Sequence, residues 1–165
     1  MQQRDGPIFA SAEVETFWRF ISSSLDRLVG VLNGQPIEIL NWRPPAPETN
    51  SIYGLAHHTL CNARVNLLGN LCRQHVERDR DSEFTVVAGA STPPDAGWIE
   101  IRRELVEALS TLTAESLDAE YAHHWRGAIT GREILIIVAR HSAEHLGQAE
   151  LTRDLAHATL NRCNL

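Results

Sequence analysis

Apolar side chains recur every three to four residues in four long segments of this chain, which is the spacing of helices that bury one face. The segments run over about residues 11–32, 51–77, 94–117 and 130–159. No internal repeat or long linker separates them in the sequence. The pattern therefore predicts one all-α domain over residues 1–165.

The ends of these segments carry residues that start and stop helices. Ser51 is a suitable N-cap for the second helix, because its hydroxyl can accept from a free backbone amide. Thr130 and Glu133 have the spacing of a capping box at the start of the fourth helix. Asn33-Gly34 favours a left-handed stop after the first helix.

Four helices of this length, each with one apolar stripe, are expected to pack as a four-helix bundle. The loops over about residues 34–50 and 78–94 are long enough for at least one of them to cross the bundle. Residues 84–87 are predicted as a short extended piece. Residues 118–129 are expected to form an ordered turn or a small hairpin.

Composition narrows the class of protein. The 165 residues are 43% hydrophobic and carry a net charge of −6, so a nucleic-acid partner has no electrostatic support. All fifteen basic residues are arginine, which excludes lysine-based catalysis. No apolar run has the length of a membrane span, and the first residues lack a signal-peptide core. The three cysteines form no disulfide framework, so we expect a cytoplasmic protein without a membrane partner.

The most informative feature is a pair of histidines in the last helix. His141 and His145 are four residues apart, so their Cβ atoms lie roughly 6 Å from each other on one helical face. They also continue the stripe of Ile134, Val138 and Ala149, which is predicted to face the core. Both rings can then reach one metal ion. A hydrogen-bonded polar network in the core is the alternative.

A third ligand is sought on the second helix, where His57 and His58 are adjacent. Neighbours on a helix diverge by about 100°, so only one of them can face the core. His58 continues the apolar stripe, whereas His57 shares a more polar face of the helix with Tyr53 and Arg64. His58 is therefore the preferred ligand, and an interfacial role for both histidines is the alternative.

Three motifs in the sequence resemble the DinB-like superfamily of bacterial four-helix-bundle proteins, and the resemblance covers nearly the whole chain. They are Asn41-Trp42-Arg43-Pro44, then Asn50-Ser51-Ile52 followed by Leu55-Ala56-His57-His58, and finally His141-Ser142-Ala143-Glu144-His145-Leu146-Gly147-Gln148. The last motif is the most specific. The superfamily includes enzymes that use low-molecular-weight thiols such as mycothiol and bacillithiol.

The resemblance implies a divalent metal, often zinc or nickel, held by three histidines at the open end of the bundle. It assigns His58, His141 and His145 to that site, although a shift of one residue would put His57 in place of His58. It also implies an up-down-down-up topology with a long crossover, and frequent homodimers. Trp18, Phe20 and Val29 lie off the main stripe of the first helix, which also favours an interface.

Further residues near the histidines are candidates for chemistry. Glu144 is a candidate general base, with an exposed carboxylate or a hydrogen-bond partner of a ligand as the alternative. Gln148 is a candidate to orient a ligand or a metal-bound water, or simply to form a hydrogen bond between two helices. The remaining candidates for ligation, anion binding or the rim of the site are Cys61, Asn62, Arg64, Arg132, Arg140, Trp42 and Trp125. His141-Ser-Ala-Glu-His145 also matches the inverted zinc-protease signature, but the chain is too short for those enzymes.

These observations favour a metal-dependent enzyme that acts on a small-molecule substrate. It would be either a transferase of a low-molecular-weight thiol or a hydrolase. The alternative is a non-catalytic binding or stress-response protein with a structural metal. Because Ser51 and Thr130 start the two ligand-bearing helices, we expect a pocket at the N-terminal ends of both, rimmed by residues 41–50 and 118–129. The dipoles of these helices would then attract an anionic substrate.

Overall fold

A computed structural model describes residues 8–89, 96–123 and 126–162 of the chain. Its helices are α1 (Ala12–Leu32), α2 (Ile37–Asn41), α3 (Ile52–Arg64), α4 (Ala96–Leu109), α5 (Ala114–Asp118) and α6 (Gly131–Arg162). Two strands, β1 (Glu120–His123) and β2 (Gly127–Thr130), pair antiparallel immediately before α6. The described residues are mostly helical, which confirms the predicted all-α class.

Helix α1 forms where the first stripe predicts it. Ser11 caps its start by accepting from the Val14 amide at 3.4 Å, and Gly34 follows its end with a φ of +70°. Its apolar stripe is buried. Trp18 and Val29 are buried as well, so of the three residues that lie off the stripe only Phe20 is exposed. The predicted interface on this helix therefore has less apolar surface than expected.

The second predicted helix is shorter than expected and changes type. Ser51 accepts from the Gly54 amide at 3.1 Å, as predicted for an N-cap. After α3 the chain widens into a π-helix over Val65–Leu71, in which the Cys72 amide bonds to the Leu67 carbonyl at 3.0 Å. Arg73 then adopts a φ of +56°, which ends the helix. The predicted continuation to residue 77 is wrong, since the widened turn and this left-handed residue redirect the chain.

The third predicted helix is divided into two. Helix α4 ends at Leu109, and Thr113 caps the separate short helix α5 with a capping box. The prediction of one helix up to residue 117 is therefore wrong, and its predicted start near residue 94 lies outside the described residues. The small hairpin expected in the following connection is formed by β1 and β2.

Helix α6 is the central element and packs against both α1 and α3. The predicted capping box is present, because the Thr130 amide donates to Glu133 at 2.8 Å and the Glu133 amide donates to the Thr130 hydroxyl at 3.2 Å. Gly131 lies in a tight contact, where a Cβ would come within 2.5 Å of the Ser116 carbonyl oxygen and 2.9 Å of the Leu71 side chain. Helix α6 thus begins beside the last residue of the π-helix.

The loop between the π-helix and α4 folds back onto α3. It contains a short 3₁₀ turn, Ser82–Phe84, in place of the start of the extended piece predicted over residues 84–87. Asn41 holds this loop through a pair of bonds to Ala88, donating to its carbonyl at 3.0 Å and accepting from its amide at 2.7 Å. Arg43 also donates to the Phe84 carbonyl. In the described part of the chain, no helix combines the length and apolarity needed to cross a bilayer.

Candidate metal centre

Three histidines from two helices converge where α3 packs on α6. His58 comes from α3, and His141 and His145 come from α6. One ring nitrogen of each lies within 4.8 Å of the others. The ring centroids are 5.2 Å apart from His58 to either partner and 4.2 Å apart between His141 and His145. The structure therefore brings together the three histidines selected from the sequence.

The doublet on α3 is resolved by the helical geometry. His58 is only 5% exposed and points toward α6. His57 is half-buried elsewhere, with its Nε2 3.7 Å from the Cys61 thiol. Among the described residues, the cluster of potential metal ligands contains His58 and not His57.

On the α3 side, a buried carboxylate holds His58. The Nδ1 atom of His58 lies 2.7 Å from Glu83 Oε2, and Glu83 is only 2% exposed. Arg78 binds both oxygens of the same carboxylate, with Nε donating at 2.6 Å and Nη2 donating at 2.9 Å. Phe84 packs on the His58 ring at a centroid distance of 4.4 Å. The ring is therefore fixed by one hydrogen bond and one aromatic contact.

These contacts set the protonation states on the α3 side. Burial raises the pKa of Glu83, but the hydrogen bonds from Arg78 and His58 outweigh it, and the pKa is lowered overall. Burial, together with His145 and Arg78, lowers the pKa of His58 by more than the neighbouring Glu83 carboxylate raises it. Glu83 is thus ionised and His58 is neutral at pH 7. Since a carboxylate only accepts, the proton of His58 is on Nδ1 and its Nε2 carries a lone pair.

On the α6 side, the histidines are less enclosed. His145 Nδ1 lies 2.7 Å from the Oε1 of Gln148, one turn further along the same helix, so Nε2 of His145 is left available. His141 Nε2 is buried and has no hydrogen-bond partner. Burial, followed by the nearby His145 and His58, lowers the pKa of His141 to about 3. His141 is therefore a neutral imidazole at pH 7.

The site suits a divalent metal ion. Its donors are neutral imidazole nitrogens, which zinc and nickel accept readily. The unpartnered nitrogen of His141 is the strongest sign, because a buried polar atom without a partner is costly and a metal would satisfy it. The carboxylate on His58 and the amide on His145 are typical of groups that orient metal-binding histidines.

Several other candidates from the sequence lie outside this cluster. The exposed Glu144 pairs with Arg140 at 3.3 Å on the outer face of α6. Arg64 pairs with Glu104 at 3.1 Å, and Arg132 is engaged by Glu13 and Asp118 at 2.6 Å each.

The two remaining side chains on α3 are also accounted for. Burial raises the pKa of Cys61, so its thiol is protonated and a poor ligand. Asn62 accepts from Asn66 on the following π-helix at 3.1 Å. Trp42 is half-buried against the core, and Trp125 lies outside the described residues.

Sequence reasoning missed Glu83 and Arg78. Both belong to a charged run that the periodicity assigns only to the end of a helix, and Asp79 and Asp81 look equivalent to Glu83 in that run. The one local signal is the aromatic Phe84, which interrupts the charged run directly after Glu83. The contact with His58 joins residues 25 positions apart and depends on how the loop folds back.

The expected location of the pocket, at the N-terminal ends of both ligand-bearing helices, is wrong, although Arg126 of the 118–129 connection does line a nearby cavity. His58 lies against His141, whereas Leu71 lies against Gly131, so residue numbers rise along α3 and the π-helix as they fall along α6. The N-terminal ends of α3 and α6 therefore lie at opposite ends of their contact. Their helix dipoles cannot both point at one substrate.

A cavity of about 490 Å³ lies about one helical turn from the histidines. Asn62 on its wall is one turn beyond His58 on α3. Ile137, on the opposite wall, is one turn before His141 on α6. The side chains that determine its character are Asn62, Asn66, Asn70, Arg78, Arg126 and Ile137. The described lining contains no acidic residue, and its arginine and amide side chains lie beside a larger apolar surface.

Comparison with known proteins identifies the superfamily of this chain and a solved structure with a similar fold. The sequence profile of the DinB superfamily matches residues 21–149, and the chain belongs to that superfamily. A crystal structure of a conserved protein from Enterococcus faecalis is similar, with a TM-score of 0.66 and 16% sequence identity over 87% of this chain and 96% of that chain. At this identity the likeness shows the fold alone. None of the curated proteins matches the chain.

Proposed function

We propose that this protein binds one divalent metal ion, zinc or nickel, through His58, His141 and His145. The observation that carries the proposal is the convergence of three imidazole nitrogens within 4.8 Å, one of them buried without a partner. Each of the other two histidines has its Nδ1 occupied, which leaves Nε2 for the metal. Membership of the DinB superfamily supports the same assignment.

We propose further that the site is catalytic. Three ligands are typical of catalytic zinc sites, which keep a position for substrate. The His141 and His145 residues are partly exposed on α6, while the Nε2 atom of His141 is itself buried. When bound, the metal supplies Lewis acidity that activates a coordinated thiol or water. The chain's own residues hold the imidazoles neutral, orient them and exclude solvent from the His58 side.

The proposed reaction is thiol transfer to an electrophile, or hydrolysis, with a small-molecule substrate. The nearby cavity has the volume of a small-molecule site and is lined by amides and arginines. The arginines and amides of this lining suit the polar groups of a low-molecular-weight thiol such as mycothiol, and apolar surface lies beside them. Glu144 is exposed and paired with Arg140, so we assign the general-base role to no residue.

Metal analysis of purified protein tests the site. We expect about one zinc or nickel ion per chain, and almost none in His141→Ala or His58→Ala, since two imidazoles bind such ions weakly. His57→Ala is the matched control, because His57 is the neighbour that faces away from the cluster, and it should keep its metal. Full metal content in both ligand variants would overturn the proposal.

The second candidate is a binding or stress-response protein with a structural metal. The observation that favours it is the burial of His58 and of its Glu83–Arg78 support, which resembles a structural centre. Calorimetry with mycothiol and the metal-loaded or metal-free protein separates the two candidates. Thiol binding that requires metal supports catalysis, whereas equal binding by both forms supports the second candidate.

We also propose the finer architecture that the resemblance implies, a four-helix bundle of α1, α3, α4 and α6 in up-down-down-up order with a long crossover. A homodimer is proposed from the family and from exposed apolar residues such as Ile8 and Ile99, which line one groove. Light scattering that gives a monomer near 18.4 kDa at all concentrations would reject the dimer. The unpaired Cys61 and Cys72 thiols support a reducing, cytoplasmic location.

A further inference from the structure

We infer that Glu83, held by Arg78, is a positioning residue that keeps Nε2 of His58 free and directed toward the proposed metal. The inference rests on the proposed metal site and concerns residues outside the histidine motif. It assigns a role to the loop between the π-helix and α4.

The contacts of Glu83 leave it little freedom. Its Oε2 accepts from His58 Nδ1 at 2.7 Å and from Arg78 Nη2 at 2.9 Å, while Oε1 accepts from Arg78 Nε at 2.6 Å. The carboxylate is 2% exposed, so removing it from water is costly unless these bonds persist. A buried ionised carboxylate on Nδ1 selects one tautomer of His58, the one in which Nε2 can bind a metal.

The loop that carries Glu83 is itself anchored. Asn41 exchanges two hydrogen bonds with Ala88, and Arg43 donates to the carbonyl of Phe84. Both anchors belong to the Asn41-Trp42-Arg43-Pro44 motif, which sequence reasoning assigns only to the rim of the pocket. The motif therefore acts on the histidines indirectly, by fixing the position of the loop on which Glu83 lies.

Zinc affinity, measured by competition with a chromogenic chelator, tests the inference. We expect Glu83→Ala to bind zinc about 10- to 100-fold more weakly, which is the usual effect of losing such a partner of a metal-bound histidine. Glu83→Gln keeps a side chain of the same size that can accept a hydrogen bond, so its loss of zinc affinity should be smaller. This variant also replaces Glu83→Ala in the test if Glu83→Ala does not fold. The matched control is Glu104→Ala, which removes a half-exposed glutamate paired with Arg64.

Nitrogen NMR of the His58 ring in metal-free protein provides a second measurement that does not need the metal. The wild type should show the proton on Nδ1 alone, and Glu83→Ala should show a mixture of tautomers. Zinc affinity within twofold of wild type in both Glu83 variants, together with an unchanged tautomer, would overturn the inference. If wild type binds no zinc, the metal site fails, and the tautomer measurement alone decides the role of Glu83.

Discussion

The two sides of the histidine cluster are built in different ways. On the α6 side, His141 and His145 are paired by a four-residue spacing, and Gln148 orients His145 from the next turn of the same helix. On the α3 side, His58 depends on Glu83, which comes from a loop 25 residues away. The first arrangement is local and partly exposed, and the second is long-range and buried.

This difference separates the roles of the two sides. Helix geometry alone sets the separation of the α6 histidines, so their arrangement survives small changes elsewhere. The position of His58 and its tautomer depend on ion pairing in a place shielded from water, where an unpaired charge is costly. Damage to the α3 side should therefore affect stability and metal binding together. Damage to the α6 side should affect metal binding more selectively.

The largest difference in the free energy of unfolding is expected between two arginine variants, one on each side of the cluster. Arg78→Ala leaves the Glu83 carboxylate buried with one partner and should lower the free energy of unfolding by about 3 kcal/mol. Arg140→Ala removes an exposed pair with Glu144 on α6 and should cost less than about 0.5 kcal/mol. Urea unfolding of both metal-free variants measures this difference. Equal losses of unfolding free energy in the two variants would show that the buried ion pair stabilises the protein no more than the exposed one.

Acid should destabilise the metal-free protein through the histidines. The pKa of His141 is lowered to about 3, so between that value and about 6.5 the unfolded chain binds more protons than the folded one. Stability therefore falls as pH falls through this window. For a shift of this size we expect a loss of about 2 kcal/mol between about pH 7 and pH 5.

The lowered pKa of His58 adds to this loss below about pH 6.5, and the lowered pKa of Glu83 adds to it only below about pH 4.5. Thermal melts in a chelating buffer measure the effect across the pH range. His141→Gln is the control, since it removes the His141 ring and should weaken the pH dependence, while His58 still contributes. A melting temperature that stays constant from pH 7 to pH 5 in the wild type would contradict the assignment.

The smallest effect is expected for Gln148. This side chain is exposed and neutral, so Gln148→Ala should weaken zinc binding by less than about tenfold, below the usual range for a buried partner. Glu144→Gln is the matched change on the same helix face and should leave zinc affinity unchanged, because Glu144 contacts Arg140 instead. A loss for Gln148→Ala as large as that for Glu83→Ala would remove the distinction between the two sides.

The site could be predicted from the sequence where its contacts are local. The pairing of His141 and His145 follows from helical spacing. The choice of His58 over His57 follows from the apolar stripe of the second predicted helix, which His58 continues. The N-cap of α3 and the capping box of α6 could also be predicted, because each depends on a side chain and a backbone amide three residues apart. The π-helix could not, since a change in hydrogen-bond register leaves no clear mark in hydrophobic periodicity.

Sequence by itself determined the helical class, the helix starts at Ser51 and Thr130 and the identity of the three clustered histidines, because these depend on periodicity and on neighbours within one or two turns. Only the tertiary structure decided that Glu83 rather than Asp79 or Asp81 supports His58. It alone also decided that α3 and α6 approach each other with their N-terminal ends apart. Both outcomes depend on how distant segments pack, and on the cost of burying a charge where only one partner can reach it.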